Sequence, residues 1–236
     1  MKTGIIVLAQ STKNQAVAEY VADELSKRGR RNVRTGYHFG TPRSDDVLVD
    51  MFESDGVDTF CILPLCIAEG RMTIWKMPEQ LGLPNNSGSW RMIGDHDVAT
   101  RFACAVGFDE KLADAIVYEL GEPAEGTGVL VLARGSAMSI ASKVADRYVS
   151  HIREHGWRAA YSFTDAGEPT IDGALIELSG CRRIVLVPLM IGTDREGYAT
   201  AVGKVRGTGA EVVETRPVSS YPEFIDNLDS RIPEDW

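Results

Sequence analysis

The stretch "PLCIAEGRM" at residues 64–72 reappears as "PLMIGTDRE" at residues 188–196. Proline, leucine, isoleucine and arginine recur at matching places with an offset of 124 residues. The first apolar run of the chain repeats at the same offset, as "GIIVLAQST" and "GVLVLARGS". "GTP" at 40–42 matches "GEP" at 167–169 with an offset of 127, which a longer helix in the second copy explains. A repeat of this length indicates a duplicated domain rather than a solenoid unit.

Each copy alternates apolar strands with amphipathic helices. In the first copy the runs "IIVLA" and "TFCILPL" are typical of strands buried on both faces. The segment "NQAVAEYVADELSKRG" predicts a helix, since Val17, Val21 and Leu25 recur at i+4 and Gly29 supplies a stop. "SDDVLVDMFESDG" predicts a second helix with Ser44 as its N-cap. Strand–helix alternation implies right-handed crossovers, so we expect an α/β fold with two similar, doubly wound, flavodoxin-like parallel-sheet lobes.

The join between the copies is predicted at "LGEPAEGTG", residues 120–128, because proline, glycine and small residues suit a linker. We therefore expect two domains, residues 1–123 and residues 124–236. "LPNNSGSW" at 83–90 is predicted to be a loop insertion, and "TRFACAV" at 100–106 the fourth strand of the first lobe.

Composition excludes several classes of protein. The net charge of −9 disfavours duplex nucleic acid as a partner, because phosphate binding needs a concentrated positive face. The chain contains no apolar run long enough for a membrane span, and its first apolar run is too short for a signal peptide. A cytoplasmic location is expected. The four cysteines form no CxxC pair, so they are predicted to be small buried residues rather than metal ligands.

In open parallel sheets, ligands bind outside the carboxyl ends of the strands. Each lobe therefore offers three places for functional side chains: after the first, second and third strands. Two lobes facing each other would form a cleft with two such sets.

At these positions the chain resembles the class II tetrapyrrole chelatases, which include the cobalt, iron and nickel chelatases of sirohydrochlorin. The resemblance rests on "VLAQST" and "ILPLCIAEGRMTIWKMPEQLG", where Gly70, Pro78 and Gly82 fall at the family's spacing. In the second copy it rests on "VLARGS", "FTDAGEP" and "VPLMIGTDRE". It covers nearly the whole chain and implies metal insertion by a lyase, with a place in cobalamin biosynthesis for a cobalt enzyme.

The family's functional positions carry other residues here. In the first copy these positions are Gln10, His38, Met72 and Lys76. In the second copy they are Arg134, Asp165 and Glu196. Glutamine takes up no proton at neutral pH, arginine repels a cation, and methionine offers only a thioether. His38 is then the plausible ligand and base of the first lobe, and two carboxylates take that place in the second.

The resemblance implies a catalytic and metal-binding set of His38, Asp165 and Glu196. It implies a substrate-binding set of Gln10, Ser11, Arg71, Met72, Arg134, Ser136 and Arg195. The two arginines that follow the third strands would clamp ring carboxylates through bidentate pairs, although solvation at a helix start explains them equally well. Each residue of the catalytic set also has a simpler interpretation. His38 can be an ordinary surface or hydrogen-bonded histidine, and Asp165 and Glu196 can form salt bridges with Arg134 or Arg195.

His151 and His155 are spaced i,i+4 on a predicted helix, which is geometry compatible with a metal and also with an exposed polar face. Three functions stay open: a sirohydrochlorin-type chelatase, a non-catalytic tetrapyrrole- or metal-binding protein, and a divergent small-molecule enzyme. We expect a tetrapyrrole as partner, no tightly bound cofactor, and Co²⁺, Ni²⁺ or Fe²⁺ as a metal substrate. A homodimer or a separate chelatase partner is left open.

Overall fold

A computed structural model describes residues 2–83, 90–93, 96–135, 138, 140–165, 167–193 and 196–234. The chain divides into two compact units, Met1–Val106 with Ile225–Trp236, and Gly107–Phe224. These ranges differ from the repeats predicted at 1–123 and 124–236 because the last helix of each copy is grouped differently.

The first unit is built around a five-stranded sheet. Its strands are β1 (Thr3–Ser11), β2 (Val33–Phe39), β3 (Thr59–Pro64), β4 (Trp90–Ile93) and β5 (His96–Phe102). Its helices are α1 (Gln15–Lys27), α2 (Ser44–Asp55) and α3 (Met77–Gln80), and α3 continues a π-helical turn at Met72–Lys76. The strand order is β2-β1-β3-β5-β4, and every pairing is parallel except β4 with β5. This is the predicted α/β fold with one additional antiparallel edge strand.

The second unit repeats the plan, and the part of it that the structure describes has no antiparallel edge strand. Its helices are α4 (Glu110–Leu120), α5 (Ile140–Glu154), α6 (Ile171–Glu177) and α7 (Glu196–Arg206). Its strands are β6 (Thr127–Ala133), β7 (Arg158–Phe163), β8 (Arg183–Leu189) and β9 (Glu211–Glu214). They lie in the order β7-β6-β8-β9, and all pairings are parallel. The last helix, α8 (Pro222–Asp229), crosses from this unit into the first.

The exchange of terminal helices has visible contacts. In the first unit the guanidinium of Arg30 donates to Asp229 at 2.7 Å, and that of Arg231 donates to the carbonyl of Val106 at 2.8 Å. In the second unit, Asp109 caps α4 by accepting from the amide of Leu112 at 2.9 Å. The segment that ends the second repeat is thus held by polar contacts within the first unit, which is discontinuous in sequence, whereas α4 belongs to the continuous second unit.

Apolar side chains fill the faces of both sheets. One core cluster, which includes Ile6, Leu48 and Phe60, lies in the first unit, and another, which includes Leu130 and Leu186, lies in the second. The all-apolar strands predicted from sequence are buried along nearly their whole length, as parallel strands covered by helices on both faces must be.

Two local predictions were wrong. The fourth strand of the first lobe is β5, residues 96–102, rather than 100–106, because its pairing with β3 runs only from Thr59 to Ile62. Ser44 is the first residue of α2 rather than its N-cap, which is Arg43. Ser44 packs against the bare backbone of Gly36, where a Cβ would lie 2.8 Å from the Ser44 Cα. Residues 84–89 of the predicted loop insertion lie outside the described residues.

Among the described residues, none of the helices combines the length and the apolar character needed to cross a membrane.

Candidate functional site at the strand ends

The first two strands of the first unit present their last side chains at the same level. Ser11 on β1 pairs with Phe39 on β2. The residues before them, Gln10 and His38, are therefore level and point to the same face of the sheet, because side chains alternate with a period of two. Two residues predicted for the site thus lie at the same level on neighbouring strands.

His38 is held by the side chain of Gln80, which ends α3. The Nδ1 atom of His38 makes a short hydrogen bond to Oε1 of Gln80. The amide nitrogen of Gln80 donates to a carboxylate oxygen of Asp45 at 2.9 Å and to the carbonyl of Tyr37 at 3.4 Å. Both of these partners only accept, so the amide nitrogen must face them and Oε1 must face the histidine.

That arrangement fixes the tautomer of His38. Since Oε1 of Gln80 has no proton to give, Nδ1 of a neutral His38 must be the donor. The lone pair of the imidazole then sits on Nε2, which is left to accept a proton or bind a metal ion. In metal sites, a histidine ligand is commonly oriented in this way by a hydrogen bond at its other ring nitrogen.

The local electrostatics keep His38 uncharged. Burial lowers the pKa of His38 below its ordinary value; the hydrogen bond that Nδ1 of His38 donates to Gln80 opposes this, and the cations of Arg43 and Lys76 add to the lowering. Asp45 pulls the pKa upward by a smaller amount. Because the net shift is downward, the imidazole is neutral at pH 7 and carries its lone pair.

Asp45 completes this network as a charged anchor. Burial raises the pKa of its carboxyl, but hydrogen bonds from Gln80 and Arg43 outweigh burial, and the net pKa is lowered. Arg43 approaches Asp45 at 3.1 Å. Asp45 is therefore ionised at neutral pH and orients the Gln80 amide that in turn orients His38. Neither Gln80 nor Asp45 was predicted as a site residue, since their roles arise from three separate elements.

The third strand end is built by an unusual turn. The amide of Met77 donates to the carbonyl of Met72, a π-type bond that widens the helix, and such turns often occur at functional sites. Met72 packs its thioether partly against the core of the unit. Arg71 is exposed and forms no ion pair with any described residue. Trp75, in the same turn, leaves 51% of its surface exposed.

Glu69 is a further carboxylate at this edge that the sequence prediction missed. One of its carboxylate oxygens accepts from the amide of Ala105 at 2.6 Å. The other oxygen is buried and has no hydrogen-bond partner among the described residues. The signal available from sequence was only an acidic residue in the loop after the third strand.

In the second unit the predicted site residues pair with each other. The guanidinium of Arg134 lies 3.2 Å from the carboxylate of Asp165. That carboxylate also accepts from the amide of Gly135 at 3.0 Å and from the hydroxyl of Thr164 at 3.2 Å. The salt-bridge alternative for Asp165 is therefore what the structure shows. An anion already neutralised by a guanidinium is a weaker ligand for a cation.

Glu196 is the first residue of α7 and is exposed. The next residue, Gly197, packs closely on the end of β7, because a Cβ there would lie 2.7 Å from the carbonyl oxygen of Thr164. This contact brings the start of α7 beside the strand end that carries Asp165. Ser136 and Arg195 were also predicted for the site, and they lie outside the described residues.

Each unit has an equivalent side-chain contact between two of its helices. At the repeat offsets, Gln80 corresponds to Lys204 and Asp45 to Asp172. In the second unit, the ammonium of Lys204 contacts the Asp172 carboxylate at 2.8 Å. The link is present in both copies, but only in the first does it extend to a histidine. The cleft between the lobes remains a prediction. A metal site that combines His38 with Asp165 and Glu196 also remains a prediction.

The comparison with known proteins agrees with the duplicated fold. The family model CbiX matches residues 9–122 and again residues 128–235. The chain therefore belongs to the CbiX family of class II chelatases, in its duplicated, two-lobed form. No curated protein matches the chain.

Solved structures share the fold at low sequence identity. SirB from Bacillus subtilis with Fe³⁺ superposes with a TM-score of 0.76 at 16% identity, covering 98% of this chain and 94% of SirB. Sirohydrochlorin chelatase SirB from Bacillus subtilis subspecies spizizenii, in complex with cobalt, gives 0.72 at 13% identity, with coverage of 98% and 94%. CbiX, described as the terminal enzyme for siroheme biosynthesis in denitrifying bacteria, gives 0.62 at 19% identity and 97% coverage of both chains.

Proposed function

We propose that the protein inserts a divalent metal ion, Co²⁺, Ni²⁺ or Fe²⁺, into sirohydrochlorin or a closely related tetrapyrrole. Membership of the CbiX family supports this class of reaction, and the similar structures include a sirohydrochlorin chelatase bound to cobalt. The observation that carries the proposal is His38: a neutral imidazole, fixed in one tautomer, at the carboxyl edge of a parallel sheet.

Insertion of a divalent ion into the free ring forms bonds from metal to ring nitrogen and releases two protons from pyrrole nitrogens. The lone pair on Nε2 of His38 accepts one of these protons, and water accepts the other. The same lone pair could instead hold the incoming ion before transfer, because imidazole binds all three metals. Either role requires the neutral tautomer that Gln80 enforces.

The surroundings of His38 suit a planar, acidic macrocycle. Phe39 ends β2 with 58% of its surface exposed, and its ring lies 4.3 Å from that of His38. Trp75 adds a second exposed aromatic side chain in the π-helical turn. Exposed rings offer faces for stacking, and the guanidinium of Arg71 can pair with ring carboxylates in a bidentate manner.

A second function has its own support. The family's histidine positions are replaced, and Asp165 is committed to an ion pair with Arg134. A protein with this arrangement could bind the tetrapyrrole or the metal without inserting one into the other. This carrier function predicts binding without metallation.

The experiment mixes the purified protein with sirohydrochlorin and Co²⁺ and follows the absorption spectrum of the ring. If the protein is a chelatase, the ring should be metallated faster than in a protein-free control. His38→Ala should lose this acceleration. His96→Ala is the matched control, since His96 begins β5 and is exposed away from the His38 network. A shifted spectrum from a bound but unmetallated ring would favour the carrier function. An unchanged spectrum in every mixture would show that neither function involves this tetrapyrrole.

A further inference from the structure

A second group of metal-ligating side chains lies in the second unit, away from the strand ends. Asp114 on α4 and His151 and His155 on α5 place one donor atom each within 4.8 Å of one another. Among the described residues, no other group of three histidine, cysteine or acidic side chains is this close. We propose that these three residues bind a divalent transition-metal ion of the Zn²⁺, Co²⁺ or Ni²⁺ class, independently of any tetrapyrrole.

The helix α5 brings the two imidazoles together. Residues four apart lie on one face of an α-helix, and the two rings here have centroids 4.8 Å apart. The Nδ1 atom of His155 lies 2.9 Å from the backbone carbonyl oxygen of His151. Since a carbonyl only accepts, Nδ1 of a neutral His155 is the donor and Nε2 holds the lone pair. A histidine whose second nitrogen bonds a backbone carbonyl is the common form of a metal-ligating histidine.

The neighbouring helix supplies the carboxylate. Nε2 of His151 donates a hydrogen bond to a carboxylate oxygen of Asp114 at 2.8 Å. A metal ion bound at Nε2 takes the place of that proton, and His151 then carries its proton on Nδ1. Two imidazoles and one carboxylate form a donor set that suits Zn²⁺, Co²⁺ and Ni²⁺ rather than Mg²⁺ or Ca²⁺, which prefer oxygen ligands. Water would complete the coordination at this surface.

The geometry needs only small side-chain movements. With metal–ligand bonds of about 2.0–2.1 Å, ligand atoms around a tetrahedral ion lie about 3.3 Å apart. The pair at 2.8 Å must open slightly, and the widest pair, at up to 4.8 Å, must close by about 1.5 Å or less. The exposed side chains of Asp114 and His155 are able to make this adjustment.

One ligand is anchored and the other two are adjustable. The side chain of His151 is only 12% exposed, whereas that of Asp114 is 59% exposed. The ring of His151 packs edge-on against Phe108, which also packs against Tyr148 with ring centroids 5.0 Å apart. A rigid imidazole beside two movable ligands reduces the entropy lost on binding.

The test measures binding of Zn²⁺ alone to the untagged full-length protein by calorimetry. All titrations are repeated in a His38→Gln background, so that the predicted site on β2 does not contribute and failure of one proposal leaves the other testable. We expect one saturable site, weakened at least about tenfold in His155→Gln and in Asp114→Asn, because losing even a group that only orients a metal ligand costs that much. His96→Gln is the matched histidine control and should bind as the parent does.

Co²⁺ provides an independent readout, because its visible absorption intensifies when nitrogen and oxygen ligands replace water in a tetrahedral site. His155 is exposed, so His155→Gln should leave the circular dichroism spectrum and the melting temperature unchanged. Absence of saturable Zn²⁺ binding, or an isotherm for His155→Gln that matches that of the parent, overturns the proposal.

Discussion

The most informative single substitution is Gln80→Lys, because the second copy of the fold already contains it. Lys204 occupies the equivalent place and contacts Asp172 at 2.8 Å, so a lysine at position 80 should reach Asp45 in the same way. It keeps the link between the helices but removes the acceptor for Nδ1 of His38. The variant therefore separates the support of the fold from the orientation of the imidazole.

The expected magnitudes follow from the contacts that change. The lost hydrogen bonds of Gln80 are worth about 0.5–1.5 kcal/mol each, and a partly exposed lysine–carboxylate pair returns about 0.2–1 kcal/mol. Since Gln80 makes three such hydrogen bonds, the free energy of unfolding should therefore fall by about 0.5–4 kcal/mol. The rate of the proposed Co²⁺ insertion should fall about 10- to 100-fold, as when a metal-ligating histidine loses the group that orients it, which is about 1.4–2.7 kcal/mol in activation free energy.

The sign of the electrostatic change removes an ambiguity. Lysine takes away the hydrogen bond that raises the pKa of His38 and adds a cation that lowers it. The imidazole thus stays neutral at pH 7, and a loss of rate cannot come from its protonation. The proton instead moves to Nε2, because an ammonium near Nδ1 favours a lone pair there.

Three measurements on this variant check the reasoning. Urea unfolding gives the stability, the sirohydrochlorin absorption assay gives the rate, and nitrogen NMR shifts of the imidazole report the tautomer. Lys204→Gln is the mirror-image control in the second unit and should preserve both the rate and the His38 tautomer. If Gln80→Lys inserts Co²⁺ at the parental rate, or if its His38 keeps the Nδ1–H tautomer, the assigned role of Gln80 is wrong.

The acid limb of the rate profile should move to higher pH in Arg43→Met, because the guanidinium lowers the pKa of His38 and insertion needs the neutral ring; rates measured from pH 5 to 8 check the direction. Leu48→Ala should lower the free energy of unfolding by about 2–5 kcal/mol, since this leucine is fully buried in the first core. The side chain of Ile176 is 74% exposed, so Ile176→Ala should change it by about 0.5 kcal/mol or less, and denaturant titrations compare the two variants. Arg134→Met removes a half-exposed ion pair and should cost less than about 1 kcal/mol in the same titration, so a larger loss would show that the pair is structural.

The fold could be predicted because its signals are local. All-apolar β-branched runs separated by amphipathic stretches specify parallel strands and crossover helices, and a repeat offset shows that the unit occurs twice. The misplaced strand at 100–106 shows the limit of such signals. "TRFACAV" is apolar enough for a strand to its end, but pairing partners on β3 stop at Ile62. The edge strand β4 was missed because it pairs with residues 96–99 of β5, which precede the strand predicted at 100–106.

The sequence predicted where the candidate site residues lie in the fold, but not which side chains they contact. Strand ends and family spacing placed His38 and Asp165 at the edges of their sheets, where the structure has them. The contacts that determine their chemistry come from distant parts of the chain. Gln80 and Asp45 reach His38 from two other elements, and no periodicity in the sequence relates the three residues.

The two copies show how one scaffold supports opposite electrostatic outcomes at equivalent places. At the ends of β1 and β2, a glutamine and a neutral histidine leave a lone pair for a proton or a metal ion. At the ends of β6 and β7, Arg134 and Asp165 neutralise each other. A cation approaching the second edge must compete with a guanidinium for its ligand, whereas at the first edge it meets a basic nitrogen held open by Gln80. At these equivalent places the first copy carries a neutral imidazole and the second a carboxylate paired with a guanidinium, which is why His38→Ala should abolish the proposed reaction even though Asp165 is intact.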